Sequence, residues 1–598
     1  MKDFMKYTAA TICGIIILSV IAGIMFMISL AGLMASDSAG KKAEKNSVFV
    51  LKLNGNVSER AEEGSPMGML LGQADMENMG LDDILSAIAK AKDEKNIQGI
   101  YIEGGTTMFD SPATAQQIRD ALKDFRKSGK WIFAYADQYE QSSYYIASVA
   151  DSIFLNKTGM IDFKGLGGKG YYLTGLLEKV GVKYQCTRVG KYKSAVEQMT
   201  QKQMSDNDRE QREAYIGSIW KHMLSDMAES RGVTAEQLNQ LADDSIMTFA
   251  KVDDYVAAHL IDGYMYPDEM KALVKQKLGI DKDKDIKQMT LADVKAMPSK
   301  KKEKGDKIAV YYAYGEIIDE ISSGFMSEHS IVGGTVVDDL NKLADDEKVR
   351  AVVLRVNSPG GSAVASEQIW HALKQLKEKK PLVVSMGGLA ASGGYMISAP
   401  ANYIVAEPTT ITGSIGIFGL IPNASQLVTD KLGVTWDGVT TNKHGDYETN
   451  LVFAKENSDE IKYLQSYVDR GYDTFLSIVA DGRGMTKEQV HEIAQGRVWV
   501  ASDALPIKLV DQLGSLADAV KKAAQLANIE GDYYASNYPA KKEWFETLLE
   551  SASEEKGTYL DEELKQTLGQ LYEPLMQARK DCQRNRLQAR FPYLTIIK

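Results

Sequence analysis

Histidine is scarce in this chain. There are six in 598 residues, His222, His259, His329, His371, His444 and His491, and none has a motif-like setting. That scarcity argues against a Ser-His-Asp triad. Cysteine is scarcer still: Cys13 lies in an apolar run, while Cys186 and Cys582 are far apart and without metal spacing. Neither a disulfide framework nor a zinc site follows from them. A basic excess is also missing, with 81 Asp plus Glu against 70 Lys plus Arg and a net charge of −11. This balance argues against a nucleic-acid partner. The longest run without a charged residue lies between Lys6 and Asp37. Within it residues 9–35 exceed the roughly 20 residues needed to cross a hydrocarbon core. A cleaved signal peptide has a shorter apolar core, roughly 7 to 15 residues, so an uncleaved anchor is expected after a short N-terminus, 1–8. Lys2 and Lys6 precede the run and Lys41, Lys42 and Lys45 follow it, so charge does not fix its orientation.

What the chain does have is glycine-rich turns at strand ends. Pro381 to Pro400 reads PLVVSMGGLAASGGYMISAP: a β-branched run, a glycine turn, then helical spacing of Tyr395, Met396 and Ala399. Ser392 sits at that turn, at a helix N-terminus where free N–H groups favour developing negative charge. A helix-capping serine is the ordinary reading. A second turn, Arg355 to Ser362 (RVNSPGGS), follows the apolar run Ala351 to Leu354. Gly360 and Gly361 can present N–H groups there, as an oxyanion hole requires. Nucleophile turn and Gly-Gly loop together suit acyl transfer. With no suitable histidine, a neutral lysine can activate the serine.

The body repeats itself. Arg231-Gly-Val-Thr-Ala-Glu-Gln237 matches Arg483-Gly-Met-Thr-Lys-Glu-Gln489, and Asp93-Glu-Lys95 matches Asp346-Glu-Lys348. Offsets close to 250 residues along the whole length mean two copies of one fold. The expected domains are an N-terminal repeat over 46–297, a lysine-rich linker over 298–307, a C-terminal repeat over 308–535 and an extension over 536–598. Short apolar strands alternate with amphipathic helices in each copy, an α/β pattern of βα units on a mainly parallel sheet. The segment Ser205 to Arg231, with a capping serine and apolar Tyr215, Ile216, Ile219 and Met223, is expected to be an amphipathic helix. Gly165 to Gly170 has the look of a phosphate loop but lacks its GK[ST] ending, so a turn shared between the copies explains it. Beyond Pro539, Glu543 to Arg579 reads as polar helices and Leu594 to Lys598 as a short strand.

Three blocks carry a resemblance: GKYKSAVE from Gly190, NSPGGS from Asn357 and GGLAASGGYMISAPAN from Gly387. They are similar to those of the signal peptide peptidase A family (protease IV) in its long, internally duplicated, membrane-anchored form. The likeness runs from the hydrophobic N-terminus to about residue 530. It implies two tandem copies of a Clp protease/crotonase-like βα fold preceded by one transmembrane helix. It also implies a serine protease with Ser392 as nucleophile, Lys193 as general base and Ser414, in the TGSIG block from Thr412, as the residue orienting that lysine. Gly361 with Gly360 would hold the oxyanion, and no metal or cofactor is called for. Substrates would be cleaved signal peptides and other short hydrophobic or unfolded peptides. The family further implies a homotetrameric ring anchored in the bacterial inner membrane, with its catalytic body on the outer, periplasmic side.

Laying one copy on the other at an offset near 250 puts Ser392 on Ser142, and Gly360 and Gly361 on Phe109 and Asp110. The first copy therefore lacks the loop glycines and reads as inactive. The same offset puts Lys193 on Lys443, about fifty residues after Ser392, a spacing similar to that of the family's short, unduplicated members. Lys443 is thus an alternative base. Lys193 is preferred because Tyr192, Ala195 and Val196 surround it with apolar bulk, whereas Asn442, His444 and Gly445 suggest a solvated loop around Lys443. Lys191 reads as a solvated neighbour. A crotonase-like acyl-CoA enzyme and a non-catalytic membrane scaffold of the same fold are the rival readings. The first needs an acidic base and an adenine pocket that the sequence does not show, and the second leaves the second-copy glycines unexplained.

Overall fold

A computed structural model describes residues 42–61, 78–244, 247–298, 304–320, 329–453, 458–541 and 588–590, with Tyr7, Gly14, Leu18, Ile21 and Met25 as isolated positions. The expected anchor over 9–35 falls outside the described residues but for four of those positions. So do the polar helices of 543–579 and the strand of Leu594 to Lys598. Among the described residues no helix is long and apolar enough to cross a membrane.

The first copy opens with β1 (Ser47–Ser58), β2 (Ile97–Phe109), α1 (Pro112–Arg126), β3 (Trp131–Tyr139), α2 (Gln141–Ala147), β4 (Ser152–Ile161), β5 (Lys183–Arg188) and the long α3 (Asp206–Arg231). Strands β1, β2, β3 and β4 pair in that order, all parallel. Their apolar runs follow from this arrangement, since a parallel sheet covered by crossover helices is buried on both faces. Helix α3 starts where its sequence says: Ser205 Oγ accepts from the Asp208 amide at 3.2 Å. It ends on Gly232 in the left-handed region at φ 67°.

The second copy repeats the plan with β6 (Asp306–Tyr314), β7 (Glu316–Ile318), β8 (Ser330–Val332), β9 (Val349–Ser358), β10 (Gly360–Ser362), α4 (Ala363–Lys379), β11 (Leu382–Ala391) and α5 (Gly393–Ser398). Then come β12 (Ile411–Gly413), β13 (Phe418–Asn423), α6 (Asp459–Arg483), β14 (Val498–Val500), β15 (Tyr533–Tyr538) and β16 (Gln588–Arg590). The main sheet runs β14–β12–β11–β9–β6–β15 and is parallel except for β14 against β12. Strands β6, β9 and β11 thus stand as β1, β2 and β3 do in the first copy.

A third, smaller sheet joins the copies, in the order β8–β7–β10–β16–β13–β5. At its end β5 of the first copy lies antiparallel to β13 of the second, from Phe418↔Arg188 to Asn423↔Lys183. The seam is also held by a buried ion pair: Arg355 Nε lies 2.5 Å from Glu59 Oε1. The same guanidinium donates to Gln117 Oε1 at 2.9 Å and to Ser385 Oγ at 3.0 Å, and Asn357 Nδ2 reaches Asp110 Oδ2 at 2.8 Å. Both charges are 3 % exposed or less. So little exposure makes the pairing obligatory, because an unpaired charge there carries its full desolvation penalty.

Candidate active site

Strand β11 is apolar and buried along almost its whole length, so it carries its C-terminal end to a fixed point in the core. Ser392 follows at once, at φ 57° and ψ −117°, a conformation that strains a residue with a Cβ by roughly 1–3 kcal/mol. Its amide donates to the Gly413 carbonyl at 2.8 Å, and α5 begins at the next residue. The amides of Gly393 and Gly394, in the first turn of α5, have no partner within the helix. Gly394 has no room for a Cβ, which would lie 2.7 Å from the Ser358 carbonyl oxygen. The second glycine turn is thereby packed on the first.

Lys193 arrives from the other copy, a few residues after β5. Its Nζ lies 2.8 Å from Ser392 Oγ, 3.0 Å from Ser414 Oγ and 2.9 Å from the Ser414 carbonyl oxygen. Lys193, Ser392 and Ser414 are all 0 % exposed. Among the described residues no carboxylate is bonded to the lysine nitrogen, and burial holds its pKa well below the usual lysine value. The lysine stem threads between two glycines of the second copy. A Cβ on Gly496, whose φ is 80°, would lie 2.6 Å from Lys193 Cβ, and one on Gly416 would lie 3.3 Å from Lys193 Cδ. Backbone bonds lock the crossing: Tyr192 N to the Gln495 carbonyl at 3.0 Å and Gly496 N to the Ile415 carbonyl at 2.8 Å.

A buried polar brace stands behind the lysine. Ser194 Oγ donates to Asp208 Oδ1 at 2.6 Å, and Gln211 Nε2 donates to the Tyr192 carbonyl at 3.0 Å. The same Gln211 accepts from the Val498 amide at 3.1 Å, so α3 grips both copies. Neither Gly496 nor this brace stood out in the sequence. A lone glycine after Gln495 and a polar face near the start of a helix look like a turn and a solvated surface.

The other sequence candidates fall as follows. Lys443 is exposed and pairs with Asp459 at 3.4 Å. Lys191 is exposed and lies over the Tyr192 ring at 5.0 Å. Gly360 has a φ of 91° and its amide donates to Ser358 Oγ at 3.1 Å, so that N–H is satisfied locally. Gly361 has a φ of 158° and its backbone presses on β7, where a Cβ would lie 2.0 Å from the Ile317 carbonyl oxygen.

The first copy resolves differently from the offset that placed Ser142 on Ser392. Tyr144 Oη donates to the Leu260 carbonyl at 2.7 Å, as Tyr395 Oη does to Leu509 at 2.9 Å. Pairing those tyrosines puts Gln141, not Ser142, at the position Ser392 holds in the second copy. One extra residue between strand start and helix accounts for the slip. Gln141 Oε1 accepts from the Lys164 and Gly165 amides at 3.0 and 2.9 Å, and its Nε2 donates to the Gly165 carbonyl at 3.1 Å. The place of the serine is taken by a side chain tied to the neighbouring loop.

This geometry can be compared with known proteins. The model of peptidase family S49 matches twice, over residues 124–281 and 374–530, and the Clp protease family model matches residues 325–409. Protease 4 of Salmonella typhi is 39% identical over 471 residues, covering 77% of this chain and 74% of that protein. Protease 4 of Haemophilus influenzae is 34% identical over 541 residues, covering 87% and 86%. The chloroplastic serine protease SPPA of Arabidopsis thaliana is 29% identical over 497 residues, covering 82% and 70%. Two family matches, one per copy, and relatives aligned over most of their length lead to one conclusion: the chain belongs to peptidase family S49 and is a serine protease of the SppA type, built from two copies of a Clp protease-like α/β fold.

Proposed function

We propose that the chain is a membrane-anchored endopeptidase in which Ser392 and Lys193 form a catalytic dyad. The observation that carries this is the 2.8 Å approach of a fully buried lysine to a strained serine across two copies. Neutral Lys193 takes the proton of Ser392 Oγ as that oxygen attacks the peptide carbonyl. The lysine then returns the proton to the leaving amine, and a water, deprotonated by the same nitrogen, releases the acid from the acyl-enzyme. Ser414 accepts a hydrogen bond from the lysine nitrogen and fixes where it points. The Gly361 amide, with that of Gly393 at the start of α5, suits the developing oxyanion better than Gly360, whose N–H is already bonded to Ser358.

Short hydrophobic peptides, cleaved signal peptides among them, are the proposed substrates. The long apolar run of 9–35 supports a single-pass anchor in a bacterial inner membrane with the catalytic body outside, and the family likeness supports a tetrameric ring. The deciding test is single-turnover acylation by an activated peptide ester. Ser392→Ala and Lys193→Ala should each lose at least about 10⁴-fold in rate, because nucleophile and base act as a unit. Lys193→Arg should not recover, since arginine stays protonated. Lys443→Ala should acylate normally. A dead Lys443→Ala beside a normal Lys193→Ala would move the dyad into the second copy.

A further inference from the structure

One amide side chain joins the two glycine turns of the second copy. Asn357 sits next to the end of β9, opposite a bulge in β11: Val356 pairs with Met386, yet Ser358 pairs with Ala390. Gly387, Gly388 and Leu389 therefore stand against Asn357 alone. Asn357 Oδ1 accepts from the Leu389 amide at 3.0 Å and takes the place of the missing ladder partner. From Leu389 the chain runs three residues to Ser392. On the other side of Asn357, Ser358 Oγ accepts from the Gly360 amide at 3.1 Å, and the Ser358 carbonyl oxygen lies against Gly394. A swing of Asn357 thus moves the nucleophile strand and the glycine turn together.

The first copy sets which way that amide faces. Asn357 Nδ2 donates to Asp110 Oδ2 at 2.8 Å and to Glu59 Oε2 at 3.2 Å. Carboxylates only accept, so two of them on one side turn the NH2 toward the first copy and Oδ1 toward Leu389. Both carboxylates are themselves held. Glu59 is paired with the buried Arg355, and Thr114 Oγ1 donates to Asp110 Oδ1. The fit leaves no slack: a Cβ on Gly388 would lie 2.1 Å from Ser111 Oγ, and one on Gly387 would lie 2.9 Å from Glu59 Oε2. Asp110 also stands in the first copy where Gly361 stands in the second. Ser111 and Ser362, the next residue in each copy, both cap the helix that follows. The residue that unmakes an oxyanion turn in one copy reaches across to the turn of the other.

We propose that Asp110 and Glu59 are positioning residues for acylation, which orient Asn357 and through it set the Ser392 strand against the Gly360–Gly361 turn. The inference rests on the dyad reading and deepens it, giving the first copy a second part in the reaction beside Lys193. Among the described residues neither carboxylate is bonded to Ser392 or Lys193. Their hold is felt where negative charge develops on the substrate carbonyl, so it serves the transition state more than the bound peptide.

The test measures kcat and KM for an activated peptide ester, Ki for a peptide aldehyde, and melting temperature, in Asp110→Ala and Glu59→Gln proteins. The aldehyde adduct on serine keeps the tetrahedral oxygen that an ester carries only in passing. Asp110 is exposed, so Asp110→Ala decides the matter should Glu59→Gln melt early. Thr409→Val is the control: Thr409 Oγ1 donates to Gln116 Oε1 at 2.6 Å across the same seam, with no bond to Asn357. In both carboxylate variants kcat should fall about tenfold, the worth of one hydrogen bond to a charged group. KM should stay within about twofold, and Ki should rise by the factor that kcat loses. Thr409→Val should melt lower and keep its kcat. Loss in one carboxylate variant alone supports the proposal with that carboxylate as the anchor. Unchanged kcat in both overturns it. So does a rise in KM alone, or an equal fall of kcat in Thr409→Val, which would make any seam bond equivalent. Fluorophosphonate labelling of the unaltered chain judges the dyad separately. A label on a residue other than Ser392 sinks that reading, whereas a label on Ser392 with kcat unchanged in both variants sinks this inference alone.

Discussion

At the scale of single residues the site rests on a lysine placed where its charge is penalised. Among the described residues Lys193 touches hydroxyl and carbonyl oxygens and no carboxylate, so burial sets its proton affinity, below that of the same residue in the unfolded chain. Below pH 10.5, the ordinary lysine value, the unfolded chain binds a proton there that the folded chain gives up at lower pH. Protonation thus favours unfolding, and the cost shrinks as pH rises toward that value. Lys193→Met should therefore abolish activity yet raise the melting temperature at pH 7, with the gain narrowing as pH climbs toward 10.5. Thermal unfolding of both proteins across that range checks it, and a variant that melts lower throughout would refute it. Activity should run the same way, rising with pH through the lowered pKa of Lys193, as acylation rates against pH will read. Ser392, Lys193 and Ser414 were legible because glycine pairs and a lysine within an apolar block are uncommon and matched known blocks. Gly496 was not, since a glycine beside a lysine is visible only once the two backbones cross.

At the scale of elements, the apolar runs of β6, β9 and β11 announce buried parallel strands, and the cap of α3 falls on the serine its sequence marks. Short pairings are different. Strand β16 spans three residues, Gln-Ala-Arg, with no period to read, and the β5–β13 ladder joins segments that nothing in the local sequence connects. The loop around Gly496 is shaped to the lysine stem, so Gly496→Ala should push Lys193 off Ser392. The kcat for a small ester should fall by about 10²-fold, the usual result of a misplacement near 1 Å, while KM changes little. A change confined to KM would show that the loop serves substrate binding instead. Helix α2 yields a second expectation. Since Gln141, tied to the neighbouring loop, stands where Ser392 does in the second copy, Ser142→Ala should leave peptide hydrolysis unchanged, and a substantial loss would mean the first copy still works.

At the scale of the whole molecule, the repeat foretold two copies of one fold, and the family models match once in each. What it did not foretell is how they meet, because the seam is written in pairs such as Arg355 with Glu59. Removing the arginine alone leaves a buried carboxylate, which costs about 3–5 kcal/mol. Arg355→Met should lower stability by that order, and adding Glu59→Leu should restore much of it; denaturant titration of the three proteins measures the coupling. Full additivity of the two losses would mean the pair is not what joins the halves. The seam has a consequence for how the enzyme comes into being. Translation delivers Lys193 first and Ser392 199 residues later. On the proposed dyad, a nascent or prematurely terminated chain carries a base with nothing to activate. With that dyad, proteolytic competence would arrive only after the second copy has been made and folded onto the first, and the ribosome would never hold a half-made protease.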